Sequence, residues 1–374
     1  MALLAIVGPT ASGKSEIAIE IAKKHDASIL CCDSLLVYKN LNIGTAKFSM
    51  KELQGVLHFG VDLVDIDQSF TAGDYVRYAA PLIEQYVLEN KNLIIVGGTG
   101  FYLKALLFGV WDAPPTQPKI RKELETKTSE ELYKRLQSLD PAYAAKLMPQ
   151  DQYRVIRALE IIETTKTPLS QILEKQNPMQ LPYMVPVLGV DRAKIDLERR
   201  IIERTNKMFE KGLVQETKNL LNSNPQIPKS MFCVGYKQVV EFVQGKCTLQ
   251  ECHEKIVIAT RQLAKKQKTF FKTFPQKPEL FQPERLQPER LQPEPVRDVH
   301  ARRSNVNVTE RNGKATKYIE WFLFPEKKPD FFKKVAEYLS GGFAGECTAG
   351  TRAGSASDNA RCVGDKLRRK SDTI

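Results

Sequence analysis

Short apolar runs alternate with amphipathic stretches along the first 110 residues of the chain. Residues 3–7 and 93–96 are entirely apolar, residues 28–32 are nearly so, and polar or glycine-rich residues follow each run. Between the runs, as in residues 15–22, apolar side chains recur at helical spacing. Unbroken apolar runs are typical of strands buried on both faces of a parallel sheet. The pattern therefore predicts an α/β fold with a doubly wound parallel sheet.

The pattern changes at Pro114, where helical spacing begins to continue without any strand. Helices are predicted there at residues 118–138, 140–147, 151–164 and 168–175. An apolar run at residues 185–190 then predicts a further strand, and more helices follow. They are predicted at residues 193–222, 235–245 and 248–272. We therefore predict a core in two parts, 1–113 and 183–275, interrupted by an all-helical insertion at 114–182.

About one hundred residues at the end of the chain differ from the rest in composition. Residues 282–286 repeat at 287–291, and the proline in each copy excludes a regular helix, so we predict a linker over 276–315. Residues 316–340 are rich in aromatic side chains and predict a small amphipathic appendage. Residues 341–374 are rich in Gly, Ser and Ala and predict a disordered tail.

The segment directly after the first apolar run has the form G-x-x-x-x-G-K-S. Its members are Gly8, Pro9, Thr10, Ala11, Ser12, Gly13, Lys14 and Ser15. Glycines let the backbone close around an anion, and the N–H groups at the start of the next helix point at it. Lys14 adds a positive charge, and the Ser15 hydroxyl is placed to bind Mg²⁺. The motif predicts a di- or triphosphate site in a core like that of the P-loop NTPases. Kinases, NTPases and group transferases all share this phosphate loop, so the motif alone does not identify the reaction.

Two polar residues follow the other predicted strands of the first part. Asp33 comes directly after the second run, and Thr99 lies between two glycines after the third. The carboxyl ends of parallel strands form the edge at which open α/β sheets bind ligands. Asp33 could be a magnesium ligand, a base acting on an acceptor nucleophile, or a helix cap. Thr99 could present its hydroxyl to a ligand or belong to a structural turn.

The chain is basic, with 56 Lys and Arg against 44 Asp and Glu, a net charge of +12. A basic balance fits a nucleic-acid partner, although many basic proteins bind none. One predicted helix carries four cations at positions i, i+4, i+7 and i+11: Arg261, Lys265, Lys268 and Lys272. That spacing places them on one face, which either contacts nucleic-acid phosphates or is simply solvated.

A second pair of cations lies in the predicted insertion. Arg154 and Arg157 are three residues apart on one helix. They could contact phosphates, or they could pair with Asp151 and Glu160 on the same helix.

The chain carries none of the usual marks of a membrane or secreted protein. No run of about 18 apolar residues occurs, and the first apolar run leads into the phosphate loop rather than a cleavage site. The 7 cysteines form no C-x-x-C pair or disulfide framework. We therefore expect a cytoplasmic protein without membrane partners.

Eight stretches distributed through the chain as far as about residue 275 resemble one enzyme family. They are GPTASGKS (8–15), DSLLVYKNLNIGTAK (33–47), HFGVDLVD (58–65), FTAGDY (70–75), VGGTGFYLKALLFG (96–109), RVIRALEI (154–161), CVGYKQ (233–238) and ATRQLAKKQKTFF (259–271). On these stretches the chain is similar to the tRNA dimethylallyltransferases, also called tRNA isopentenyltransferases. It lacks the Cys/His zinc finger that eukaryotic members often add, which indicates the bacterial type with a C-terminal extension.

The resemblance implies transfer of a dimethylallyl group from dimethylallyl diphosphate to the N6 amine of the adenine 3′ to the anticodon. It implies Mg²⁺ as cofactor, the tRNA anticodon stem-loop as partner, and a monomer. Asp33 carries over as the base, Thr99 as a site hydroxyl and Arg204 as a ligand of the diphosphate. The phosphate loop, 8–15, would hold the leaving group.

The resemblance also implies a set of residues that contact tRNA. They are expected to be Asp33, Ser34, Leu35, Leu36, Thr99, Arg121, Tyr153, Arg154, Arg157, Cys233, Gly235, Tyr236, Lys237, Arg261, Lys265 and Lys268. Leu36 stands where many members carry Gln, and Phe232 and Lys237 stand where arginines are common. Two other functions stay open: an adenylate dimethylallyltransferase acting on free AMP or ATP, and a small-molecule P-loop kinase.

Overall fold

One sheet of six parallel strands organises the part of the chain that the computed structural model describes: residues 2–111, 113, 114, 117–175, 181, 185–274, 319–324 and 326–340. The strands are β1 (Leu3–Val7), β2 (Ala27–Cys31), β3 (His58–Phe59), β4 (Asn92–Gly97), β5 (Val187–Arg192) and β6 (Ile319–Phe324). Their order across the sheet is β3-β2-β4-β1-β5-β6. The predicted linker, 276–315, and the predicted tail, 341–374, lie outside the described residues.

The central strands are buried on both faces, as their unbroken apolar sequences predict. In β1, Leu3, Ala5 and Val7 pack into one hydrophobic cluster, whereas Leu4 and Ile6 pack into another on the opposite face. Successive side chains of a strand point to opposite faces, so only an apolar run can fill both clusters. The predicted doubly wound parallel sheet is confirmed.

Fourteen α-helices occur in the described residues. In the first part of the core they are α1 (Lys14–Lys24), α2 (Met50–Leu53), α3 (Ala72–Leu88) and α4 (Gly100–Phe108). Between β4 and β5 follow α5 (Pro118–Glu125), α6 (Ser129–Leu139), α7 (Pro141–Ala144), α8 (Gln152–Thr165) and α9 (Leu169–Lys175). After β5 come α10 (Lys194–Glu210), α11 (Leu213–Asn222), α12 (Tyr236–Val243), α13 (Leu249–Lys272) and α14 (Lys328–Ser340). Among the described helices, none combines the length and the hydrophobicity that a membrane-spanning helix needs.

Helices α5–α9 bury their apolar side chains against one another. Leu132, Leu136, Val155 and Leu159 are fully buried in a cluster whose buried members all come from this segment, with Trp111 packed against it from outside. The single helix predicted over 118–138 is two helices in the structure, α5 and α6. Thr128 caps α6 with a side-chain bond to the N–H of Glu131, and this cap separates α5 from α6.

A separate cluster joins α10–α13 to the loop that follows β2. Leu41 of that loop is fully buried beside Tyr236 and Val239 of α12. The predicted helix over 193–222 ends at Glu210, because Gly212 has φ 96° and starts α11 instead. The loop that follows β2 is thereby held by the helices that follow β5.

Two features of the sheet differ from the sequence prediction. Strand β3 was not predicted, since two residues are too few for periodicity to detect. The segment predicted as a separate appendage instead contributes β6, which pairs in parallel with β5 from Val187↔Ile319 to Arg192↔Phe324. Phe322 and Phe324 are buried in the same cluster as Leu4 and Ile6, so hydrophobic burial holds β6 on the core.

Candidate active site

The phosphate loop lies between β1 and α1 at the carboxyl edge of the sheet. Its tight path is visible in the backbone: Gly13 precedes α1 with φ 87°, and Ala11 also has a positive φ of 62°. The N–H of Ser12 donates to the Pro9 carbonyl at 3.2 Å. The free N–H groups at the start of α1 are therefore directed at the space where an anion would lie.

Two arginines from distant elements hold the outside of the phosphate loop. Arg192, at the end of β5, donates from Nε to the Ser12 carbonyl at 2.6 Å, and Arg200 of α10 donates to the Ala11 carbonyl at 2.9 Å. Both guanidinium groups also form ion pairs with nearby carboxylates. The sequence prediction missed these arginines, because only the fold brings β5 and α10 to the loop.

Lys14, Asp33 and Arg204 form one electrostatic group at this edge. Burial lowers the pKa of Lys14 to about 8, while the Asp33 carboxylate acts in the opposite direction. Burial also lowers the pKa of Arg204, and Asp33 again opposes the shift. Arg204 donates to the Thr45 carbonyl at 3.0 Å, which fixes its position. The structure thus brings the three predicted residues together, two cations and one carboxylate.

Asp33 follows β2 after one intervening residue, Cys32, and lies on a turn rather than at a helix start. Its Oδ1 accepts a hydrogen bond from the N–H of Leu35 at 2.9 Å, which is an Asx turn. The helix-cap alternative is therefore wrong. The second carboxylate oxygen has no hydrogen-bond partner among the described residues, and Asp33 is half-buried. One oxygen orients the group, and the other is available for chemistry.

Thr99 links the ends of β2 and β4. It occupies the residue before α4, yet its side chain makes no capping bond. Its hydroxyl oxygen instead accepts from the N–H of Ser34 at 3.0 Å. Gly97 permits the close approach of the two strand ends, because a Cβ there would lie 1.8 Å from the Cys32 carbonyl oxygen. The hydroxyl of Thr99 therefore stabilises a structural turn and also lies next to Asp33. Its two predicted roles, in a turn and in the site, are compatible.

The predicted tRNA-contacting stretch before α12 lies close to Asp33. Burial raises the pKa of the half-buried Cys233 thiol to about 12, and the negative charge of Asp33 adds to the shift. Tyr236 is fully buried, and its hydroxyl donates to Glu216 at 2.5 Å while accepting from the N–H of Gly44 at 3.2 Å. The prediction that Tyr236 itself contacts tRNA is wrong for its side chain, which supports the loop at Gly44. Lys237 is exposed.

The predicted basic stripe on α13 is only partly free. Arg261, Lys265 and Lys272 are exposed and pair with no carboxylate among the described residues. Lys268 instead forms a 2.6 Å ion pair with Asp191 at the end of β5. This partner could not be predicted from the sequence, because Asp191 lies on another element.

The arginines of α8 are paired within their own helix. Arg154 bonds to Asp151 at 2.5 Å and is 66% exposed, whereas Arg157 bonds to the fully buried Glu160 at 2.9 Å. The ion-pair alternative is therefore realised for both residues. Arg154 remains accessible to a partner, whereas Arg157 is held by its ion pair with the buried Glu160.

Two other predicted residues of the insertion meet each other. The Arg121 guanidinium lies 5.2 Å from the centroid of the Tyr153 ring, a cation–π contact. Tyr153 is 68% exposed, and Arg121 also pairs with Glu125 at 3.0 Å. An exposed aromatic ring beside a cation can accept a stacked base.

A groove of about 800 Å³ lies elsewhere, between the loop after β2 and α11. Its polar lining includes Asn40, Asp65, Gln215 and Asn219 and none of the predicted site residues. The groups that can bind a diphosphate and move a proton lie at the sheet edge, so we place the candidate active site there.

Comparison with known proteins yields one consistent family. A family model described as IPP transferase matches residues 36–274. The chain is 42% identical over 279 residues to the tRNA dimethylallyltransferase of Geobacter sulfurreducens, an alignment that covers 73% of this chain and 89% of that protein. It is 37% identical over 282 residues to the tRNA dimethylallyltransferase of a Thermoanaerobacter species, covering 73% and 89% of the two chains.

Solved structures give the same result. The tRNA isopentenylpyrophosphate transferase of Bacillus halodurans matches with a TM-score of 0.57 and 28% identity, over 91% of this chain and 97% of that chain. A eukaryotic dimethylallyltransferase acting on tRNA matches with a TM-score of 0.63 and 28% identity, over 72% of this chain and 69% of that chain.

Proposed function

This chain belongs to the IPP transferase family, and we propose that it transfers a dimethylallyl group from dimethylallyl diphosphate to the N6 amine of the adenine 3′ to the anticodon in tRNA. It is an enzyme, a prenyltransferase. One observation carries the residue-level mechanism: Asp33 shares an electrostatic environment with Lys14 of the phosphate loop and with Arg204. This coupling supports a base for the acceptor close to cations for the leaving group.

The donor side of the reaction needs positive charge. As the C–O bond of dimethylallyl diphosphate breaks, the electron pair stays with the diphosphate, and its negative charge increases. The free N–H groups of the phosphate loop, the Lys14 ammonium and the Arg204 guanidinium would face that charge. Arg192 and Arg200 hold the loop carbonyls on the outside, so the N–H groups need no reorganisation during the step.

The residues present fit a magnesium ion at the same place. Mg²⁺ usually takes one or two protein oxygens and fills its other positions with phosphate and water. The Ser15 hydroxyl, at the start of α1, would be the protein ligand, and the described residues offer no cluster of three or more His, Cys, Asp or Glu that could form a separate metal site. A bound Mg²⁺ would offset charge on the departing diphosphate.

The acceptor side needs a base, because the exocyclic amine of adenine is a weak nucleophile. The N6 lone pair forms the bond to the allylic carbon, and one N6 proton passes to the free oxygen of Asp33. The Asx turn at Leu35 keeps that carboxylate in place. The Thr99 hydroxyl, which accepts from the N–H of Ser34 beside the Asp33 turn, would contact the amine or the leaving oxygen.

The tRNA side rests on exposed cations. Arg261 and Lys265 of α13, with Arg154 of α8, would contact the phosphates of the anticodon stem, and Tyr153 would stack on a base. The target adenine must leave its stack to reach Asp33, which costs a few kcal/mol. Loop bases in RNA are already splayed, so the cost is low.

Two other activities fit the phosphate loop alone: prenylation of free AMP or ATP, and phosphorylation of a small molecule. The relatives reported above are named for neither. We further propose that the enzyme acts as a monomer in the cytoplasm, where its tRNA substrate is found.

Labelled dimethylallyl diphosphate tests the proposed function directly. The protein is incubated with Mg²⁺ and labelled donor, and with either an anticodon stem-loop RNA or AMP as acceptor. We expect label in the RNA alone, at one adenine that a nucleotide-resolved map identifies. Label in AMP would assign the enzyme to the free nucleotide, and consumption of ATP without prenyl transfer would overturn the proposal in favour of a kinase.

A further inference from the structure

The side chain of Gln267 joins two loops of the active site. Its Oε1 accepts from the N–H of Thr10 at 2.8 Å, and its Nε2 donates to the Gly98 carbonyl at 3.0 Å. A backbone N–H only donates and a carbonyl only accepts, so the two partners fix the orientation of the amide. One amide of α13 therefore ties the phosphate loop to the loop that carries Thr99.

The packing around this amide is close on both sides. A Cβ on Gly98 would lie 2.6 Å from the Gln267 nitrogen, and a Cβ on Gly100 would lie 2.3 Å from the Phe270 ring. Glycine at both positions lets the loop after β4 lie directly against α13. Gln267 and Phe270 are one helical turn apart, so a single face of α13 contacts this loop.

The helix that carries Gln267 is itself held in place. Lys268, the next residue, pairs with Asp191 at the end of β5, and Phe271 is buried in the core cluster of the sheet. Gln267 thus extends from a fixed element. Neither the phosphate loop nor the Thr99 loop can shift relative to α13 without breaking one of its hydrogen bonds.

We propose that Gln267 is a positioning residue of the transfer reaction: it sets the separation between the diphosphate in the phosphate loop and the amine beside Asp33 and Thr99. The inference rests on the proposed function. In a displacement at carbon, the attacking nitrogen and the leaving oxygen must lie on opposite sides of the reacting carbon, in line. A misplacement of about 1 Å can cost on the order of 100-fold in rate.

The first test removes both hydrogen bonds and retains the length of the side chain. Gln267→Met should lower kcat by about 10- to 100-fold, with little change in the KM for tRNA, because both polar groups of the amide are already engaged by Thr10 and Gly98. Gln262→Met is the matched control, since Gln262 is exposed on the same helix. Its kcat should equal that of the wild type. A wild-type kcat for Gln267→Met would overturn the inference.

The second test uses a residue that regains the missing donor as the pH falls. In Gln267→Glu, the ionised carboxylate accepts from Thr10 but faces the Gly98 carbonyl with no proton to donate. The protonated acid restores both bonds, because its O–H donates and its C=O accepts. The ratio of the kcat of Gln267→Glu to that of the wild type should therefore rise severalfold as the pH falls from about 7 to about 4.5, towards the ordinary pKa of a Glu carboxyl. A ratio that stays flat across this range contradicts the positioning role, since a purely structural defect would not respond.

A binding measurement separates this inference from the proposed function. Inorganic pyrophosphate is titrated into wild type and Gln267→Met by calorimetry, without any transfer. Loss of the hydrogen bond that holds Thr10 should let the phosphate loop relax from its binding geometry, so pyrophosphate binding should weaken by about fivefold, the net worth of one such bond to the ordered loop. If the wild type transfers no prenyl group, the proposed function fails while this comparison still decides the role of Gln267. Equal affinities would exclude it.

Discussion

The sheet edge and the outer helices both carry arginine and lysine, but they hold these residues in different ways. At the edge, Arg192, Arg200 and Arg204 each donate to a backbone carbonyl, and Lys14 is half-buried. On α13, Arg261 and Lys265 extend into solvent with no carboxylate partner among the described residues. The first group is fixed before any substrate arrives, and the second is not.

This difference indicates two uses of the same charge. A fixed cation in a water-poor site stabilises charge at one point, and its effect depends on fractions of an ångström. An exposed cation attracts a polyanion over a distance, and its effect depends on salt rather than on geometry. Substitutions at the edge should therefore change chemistry, and substitutions on the helices should change affinity.

The largest effect is expected at Asp33. Asp33→Asn keeps an oxygen for the Leu35 N–H but cannot accept a proton, so the rate of transfer should fall by about 100- to 10,000-fold. Pyrophosphate affinity, measured by calorimetry, should be unchanged or tighter, since a negative charge leaves the neighbourhood of Lys14. A large loss of pyrophosphate binding would instead make Asp33 a metal ligand.

The next effect concerns the pH dependence of Lys14. Its pKa of about 8 means that the side chain is cationic below this pH and loses its charge above it. Relative to Lys14→Arg, which stays charged, the wild type should lose about tenfold in pyrophosphate affinity between about pH 7 and about pH 9. Calorimetric titrations at both pH values measure the ratio. A constant ratio would mean that Lys14 retains its proton throughout.

A smaller effect separates the two arginines of α8. Arg157→Ala removes the shorter of the two ion pairs of the buried Glu160, leaving the 3.9 Å pair with Arg121, and should lower the free energy of unfolding by about 2 kcal/mol. Arg154→Ala removes an exposed pair and should cost less than about 0.5 kcal/mol. Urea unfolding of both variants gives the comparison. Equal losses of unfolding free energy in the two variants would contradict the distinction between an arginine that pairs with a buried carboxylate and an exposed one.

The smallest effect is expected on α13. Lys265→Ala should weaken binding of the anticodon stem-loop and reduce the slope of log affinity against log salt by about one. Lys268→Ala should change the slope less, because Asp191 already neutralises Lys268. Fluorescence titrations over a range of salt concentrations test both. If Lys268→Ala reduces the slope more than Lys265→Ala, the phosphate-contacting face of α13 has been assigned wrongly.

The sequence predicts those parts of the molecule that depend on local pattern. The unbroken apolar run of β1 and the spacing of residues 8–15 determine the strand, the phosphate loop and the helix after it. Asp33 and Thr99 could be placed together because each follows a strand of one parallel sheet. Their roles in catalysis stay predictions.

Other features depend on contacts between distant segments, and no local pattern indicates them. Gln267 and Arg192 contact the phosphate loop only after the chain has folded, and the partner of Lys268 lies on another element. Strand β3 is too short for periodicity to detect. The position of β6 at the sheet edge also could not be predicted, because its apolar sequence fits many places.

The pairing of β6 with β5 determines where this protein can safely be shortened. The family match ends at residue 274, so a shortened protein designed from the family match would end there. Such a truncation would remove Phe322, Phe324 and Phe331 from the cluster over α1 and leave the backbone of β5 unpaired along an open edge. Open strand edges pair with other chains, so the shortened enzyme should aggregate even with every catalytic group intact. The segment that forms β6 and α14 thus protects the solubility of the catalytic core.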